Sequence, residues 1–313
     1  MAQSFHRLRG AVARATALVA VPIVAVSAQT VVVTGDGTLF TNPGTSNAAN
    51  TACASLLETW CARNVRSDAQ VGITATRPRD GNGSLELNQP ATANQSNAKA
   101  DFEYYFRQQN VQRLRNVIGF GYDWFRAGTS TNDPIQAPAM RLVVTNGSRA
   151  GVLVFEPFYT DGGARPVDSW QTSNIGGASN LWFSLFGGVG AGGGICENYD
   201  VNLATWQSDA GFDLGTCNGI GAGGNGRGVG ISVTGDWFVT GLSVGTGSGW
   251  NGVHFASVDN VRFDVLGMGE MSESTTWNFE TNVVPEPSTY ALLATGLAGL
   301  GALARRRRRG GVR

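Results

Sequence analysis

The sequence predicts an all-β protein built as an antiparallel β-sandwich. Segments of alternating polarity recur through the middle of the chain, each bounded by turn residues. The 44 glycines supply those turns, while Leu, Lys and Glu runs at helical spacing are nearly absent. No strand–helix–strand rhythm interrupts the series, which points to a sandwich or jelly roll rather than a parallel sheet.

Residues 1–28 are expected to be a signal peptide. Arg7, Arg9 and Arg14 form a basic n-region, Ala15 to Val26 an apolar core, and Val26-Ser27-Ala28 a small-x-small cleavage site. Cleavage after Ala28 leaves Gln29 as the first mature residue and implies the Sec export machinery. The apolar stretch is short for a permanent span and holds Pro22.

Residues 29–284 are the expected ectodomain. Val31-Val-Val-Thr34 reads as a first strand, 42–50 as a polar loop and 53–61 as one short helical turn. Strands are expected at 71–76, 84–88, 100–107, 117–126, 139–146, 151–159 and 167–175. The series continues with 181–186, 201–207, 228–234, 237–245, 257–265 and 275–280. Phe102, Tyr104 and Phe106 share one face of their strand, with Asp101, Glu103 and Tyr105 on the other. Phe120, Tyr122 and Trp124 repeat the pattern, as do Val258, Asn260 and Arg262 against Asp259, Val261 and Phe263. Glycine tracts at 187–194 and 219–230 are expected loops. They lack the strand-then-helix setting of a phosphate-binding loop.

Charge and cysteines narrow the partners. Nine of the 23 basic residues lie before Gln29 or after Pro287, and all 23 acidic residues lie between Gln29 and Pro287, so that region carries net −9. An acidic ectodomain disfavours nucleic acid and anionic lipid. In an oxidising compartment the four cysteines favour disulfides, in chain order Cys53 with Cys61 and Cys196 with Cys217. Metal ligation by these thiolates finds no nearby His or third Cys.

Candidate chemistry is sparse. His254, the one histidine after the signal peptide, would have to serve any Ser-His-Asp triad; no Gly-x-Ser-x-Gly elbow accompanies it, and a structural role is expected. Asp101, Glu103 and Glu156 are the carboxylates a glycosidase could use, although acids alternating along a strand usually mark a solvated face. Asp80, Asn82 and Asp259 offer hard oxygen donors for a structural Ca2+, the alternative being an ordinary Asp-Gly-Asn-Gly turn. Trp170, Trp182, Trp206 and Trp250 lie near loops and are candidate sugar platforms or partly buried packing, while Trp124 and Trp237 read as core.

The last 29 residues, 285–313, have three parts. Pro285-Glu286-Pro287 holds the chain extended, 289–304 is apolar and short, and Arg305 to Arg309 form a cytoplasmic stop. This order resembles the PEP-CTERM sorting signal of exported bacterial proteins; a plain membrane anchor would not need the Pro-Glu-Pro element. The resemblance implies a short transmembrane helix, passage through the inner membrane, and processing near 285–287 by an exosortase, a membrane-embedded cysteine peptidase. It also implies a host that makes an extracellular polysaccharide matrix.

Several internal segments, among them 83–87, 120–126, 153–157, 247–252 and Val258-Asp-Asn-Val-Arg-Phe263, together look like the jelly-roll ectodomain common among such proteins. That fold is similar to carbohydrate-binding modules of the galactose-binding-like kind, in which a structural Ca2+ often lies near the first and last strands. The expected role is non-enzymatic: a cell-surface or extracellular-matrix protein associated with exopolysaccharide. The rivals are a glycan-active hydrolase and a purely structural matrix component.

Overall fold

The computed structural model describes residues 26–91, 95–186, 193–218, 230–247, 249–267, 272–281, 294–298 and 300. Its strands are β1 (Val26–Thr34), β2 (Phe40–Thr41), β3 (Cys61–Arg66), β4 (Gln70–Thr74), β5 (Ser84–Gln89) and β6 (Lys99–Tyr105). Next come β7 (Gln112–Arg113), β8 (Val117–Arg126), β9 (Ala139–Thr145), β10 (Ala150–Phe155), β11 (Trp170–Ile175) and β12 (Trp182–Leu185). The last six are β13 (Gly194–Cys196), β14 (Phe212–Asp213), β15 (Ser232–Val233), β16 (Phe238–Gly245), β17 (His254–Leu266) and β18 (Ser272–Glu280). Two short α-helices interrupt them, α1 (Phe158–Asp161) and α2 (Leu203–Gln207).

Two eight-stranded sheets carry the fold. The first runs β1-β18-β17-β5-β4-β2, with β8 on β17 and β11 on β8. The second runs β13-β12-β10-β9-β16-β6-β3, with β7 on β16. The described strand pairs are antiparallel with one exception. β1 lies parallel to β18, Val26 opposite Ser272 and Thr34 opposite Glu280. The expected cleavage bond therefore falls inside β1, where Ala28 faces Ser274 and Gln29 faces Thr275.

Strand alternation decides which faces meet. Phe102 contacts Phe279 at 5.8 Å between ring centroids, Tyr104 contacts Trp277 at 5.0 Å and Phe106 contacts Phe263 at 5.4 Å. These pairs join β6 and its continuation to β17 and β18, so the two sheets share one core. Full burial of such a ring contributes about 2–3 kcal/mol. Phe120, Tyr122 and Trp124 are all buried, as their alternation predicts.

β17 departs from simple alternation. Its pairing with β8 shifts between Asp259 and Arg262, and Asn260 takes a left-handed φ of 47°. The bulge reverses parity, so Val258 before it and Val261, Phe263 and Val265 after it all face the core. Asp259 is then trapped inside, fully buried.

Residues 201–207, expected as a strand, contain α2 instead. The Asn202 side chain caps it, accepting the Thr205 N–H at 3.0 Å, a standard helix start. Both disulfides join the cysteines paired by chain order, Cys53–Cys61 and Cys196–Cys217. Of the tail, residues 294–298 and 300 are helical; Pro285-Glu286-Pro287 lies outside the described residues. Among the described residues no helix is long and apolar enough to cross a membrane. Residues 187–192 and 219–229, most of the two glycine tracts, also lie outside the described set.

Candidate functional site

At one side of the core the two sheets leave a groove of about 570 Å3 between β1–β18 and β6. One wall is aromatic. Trp60 stands 5.5 Å from Tyr104, and Tyr104 stands 5.4 Å from Phe106. Trp60 and Trp277 are almost wholly buried, whereas Tyr104 and Phe106 are half-exposed. Burial pushes the Tyr104 hydroxyl up to about 12, so it stays a neutral donor. The rim is polar, with Glu58, Asn110, Gln112, Gln29 and Glu273. Glu58 sits at a left-handed φ of 56°, pairs with Arg107 at 3.0 Å and accepts from the Asn110 amide. A non-glycine residue held there costs free energy that its surroundings must offset.

The outward face of β6 corrects an expectation. Asp101 and Glu103 are 1% and 7% exposed rather than solvated. Asp101 pairs with Arg141 at 2.8 Å and with Lys99, the chain's single lysine, at 3.0 Å. Asn64 occupies a bulge of β3 with φ 52° and donates one amide to both acids, at 3.1 Å to Asp101 and 2.9 Å to Glu103. The Tyr105 hydroxyl donates to Glu103 at 2.8 Å. Burial, then the Asp101 charge, raises the Glu103 carboxyl. A pocket of about 380 Å3 opens over Arg63, Asn64, Glu103 and Tyr105. Glu156 stands apart on the segment after β10, its carboxyl pushed up to about 7 by burial.

Of the three candidate Ca2+ residues, Asp80 and Asp259 meet at the β17 bulge through Asn260, whereas Asn82 is held by the end of β18. Asp259 Oδ1 accepts the N–H groups of Asn260 at 2.7 Å and Phe279 at 2.9 Å, while Oδ2 is buried without a partner. Burial pushes this carboxyl up to about 7. The Asp80 carboxylate accepts the Asn260 amide at 2.6 Å. Asn82 donates its N–H to Glu280 at 2.6 Å, leaving Asn82 Oδ1 buried and unpartnered. Glu280, which the sequence reading missed, is the hub. The orphaned oxygens are hard donors of the kind Ca2+ takes, although it gathers roughly six to eight of them. Among the described residues no group of three or more His, Cys, Asp or Glu side chains converges as a metal site.

The loop tryptophans divide. Trp170 and Trp182 are half-exposed, Trp170 against Phe125 at 5.8 Å and Trp182 edge-on to Tyr199 at 6.1 Å. Trp206 and Trp250 are buried and correct the expectation of ligand contact. Trp206 is the inward side of α2, and its Nε1–H donates to the carbonyls of Leu181 and Val201 at 3.2 Å. Trp250 packs edge-on against His254 at 5.2 Å. His254 itself is fully buried, and its Nδ1–H donates to Asn132 Oδ1 at 3.3 Å.

Residues 283–309 match the family model described as the PEP-CTERM protein-sorting motif. No curated protein and no solved structure matches the chain. The motif indicates an exported, cell-surface-directed protein with an exosortase as its processing partner.

Proposed function

We propose that this chain is a non-enzymatic surface or matrix protein that holds extracellular polysaccharide in the groove between β1–β18 and β6. In this reading the two sheets are a jelly-roll sandwich, and residues 1–28 are removed as a signal peptide after Sec export. An exosortase then processes the tail at the inner membrane. The observation that supports binding is the aromatic wall facing an amide and carboxylate rim. Sugar C–H faces stack on rings, and sugar hydroxyls need such polar partners. Asn82, Asp259 and Glu280 would hold a structural Ca2+, tying the last strand to the loop before β5.

The test is retention of the protein on the host's own polysaccharide in affinity electrophoresis. The double variant Asn110→Ala, Gln112→Ala removes two rim partners at about 1 kcal/mol each, so binding should weaken about thirtyfold. Equal retention of wild type and variant would sink the groove assignment. Absence of binding by either would favour a purely structural matrix component. The second reading, a glycan hydrolase, is favoured by the sheltered Glu103 beside Asp101. Both carboxylates are already held by Asn64, and Asp101 also by Arg141 and Lys99, which leaves little freedom for acid–base exchange. Release of new reducing ends from the polysaccharide, lost in Glu103→Gln, would reverse that ranking.

A further inference from the structure

The Asp80-Gly81-Asn82-Gly83 loop grips the last two described residues of the ectodomain. Glu280, at the end of β18, is 7% exposed, and its carboxylate accepts the Asn82 N–H at 2.6 Å. The Thr281 hydroxyl donates to the Asn82 carbonyl at 3.1 Å. From the other side the Gly35 N–H donates to the Glu280 carbonyl at 2.9 Å. The two glycines are required by this approach. A Cβ at Gly81 would collide with the Glu280 carboxylate, and one at Gly83 would lie 2.6 Å from the Thr281 nitrogen. Gly81 also has φ of 87°. The loop is thus built around the end of β18.

Pro285 follows Thr281 by four residues. Four residues of chain reach no further than about 14 Å, however they are arranged. A peptidase embedded in the membrane must therefore meet its cleavage motif within that distance of the Asn82–Glu280 latch. We infer that the end of the ectodomain bearing Gly35, Asn82 and Glu280 is the face presented to the membrane-embedded processing peptidase, and that the 80–83 loop sets how close it comes. The inference rests on the exosortase sorting reading and is independent of the polysaccharide groove.

The Asp36–Gly37 turn belongs to this end, because it follows Gly35 directly; Asp36 is exposed and a Cβ at Gly37 meets nothing within 4 Å. Gly267, directly after β17, lies at the other end. Leu266 pairs with Ser272, eight residues from Glu280 along β18, or about 26 Å. A small folded domain inserted at Gly37 should therefore obstruct processing, and the same domain after Gly267 should not. The assay is intact mass of the full-length precursor's product in its native host. With the Gly37 insertion the processed fraction should fall at least about tenfold, because a tether too short to span its sites abolishes intramolecular encounter. About ten Gly/Ser residues added between Thr281 and Pro285 should restore processing of that insertion. Normal processing of the Gly37 insertion, or a loss that the added spacer does not relieve, overturns the inference. Equal loss with the Gly267 insertion also overturns it. If the unaltered precursor keeps its tail in the host, the sorting reading falls and takes this inference with it.

Discussion

Replacing His254 by phenylalanine should change how the protein responds to acid. The imidazole is fully buried at the start of β17, beside Trp250. Asn132 Oδ1 also accepts from Arg126 at 3.0 Å, and the Asn132 amide donates to Gln136 at 2.8 Å, which fixes the amide and places the His254 proton on Nδ1. Nε2 is buried without a partner. Burial, then the Arg126 charge, pushes the imidazole down to about 3 from an ordinary 6.5. The folded state therefore keeps His254 neutral while the unfolded chain takes up a proton below pH 6.5. Stability is fully present above that value and is lost as pH falls toward 3. The full difference corresponds to about 5 kcal/mol, of which about 2 kcal/mol is expressed between pH 6.5 and pH 5. His254→Phe keeps a ring of similar size and removes the titration. Its cost at neutral pH comes from the lost Asn132 bond, but its acid slope should be shallower by that amount. Urea unfolding midpoints of both proteins across this range supply the measurement. Parallel pH profiles would refute the reasoning and would mean that the imidazole is solvated enough to protonate in the folded state.

Two further outcomes are expected. Replacing Pro285-Glu286-Pro287 with alanines should leave an unprocessed, membrane-retained precursor, read by mass and cell fractionation; normal maturation would remove the sorting assignment. Added Ca2+ should raise the melting temperature of the ectodomain, with reversal by EDTA and loss of the response in Asp259→Asn. A chelator-insensitive midpoint would leave Asp259 as a buried acid and nothing more.

The tail was legible because its meaning is carried by order along the chain. Two prolines, an apolar stretch and an arginine run act in sequence and need no tertiary partner. Both disulfide pairings were legible for a related reason, since neighbouring cysteines close short loops. Strand alternation correctly put Phe102, Tyr104 and Phe106 on one face, the face that meets β17 and β18. It failed at 201–207, where the Asn202 cap was the missed signal, and it could not say what covers the other face of β6. Asp101 and Glu103 are buried there because Arg141 comes from β9, Lys99 from the start of β6 and Asn64 from a bulge.

The positions of the sites were decided by pairings distant in sequence. β1 joins β18 in parallel across more than two hundred residues and makes one wall of the groove. The bulge at Asn260 carries Asp259 inward, and the glycines at 81 and 83 let the loop close on Glu280. A sequence records side-chain chemistry and local periodicity, so it determined the strand-rich ectodomain, its staples and its sorting tail. Register, bulge position and the partner of each buried charge depend on which strands meet, and only the tertiary structure decided them.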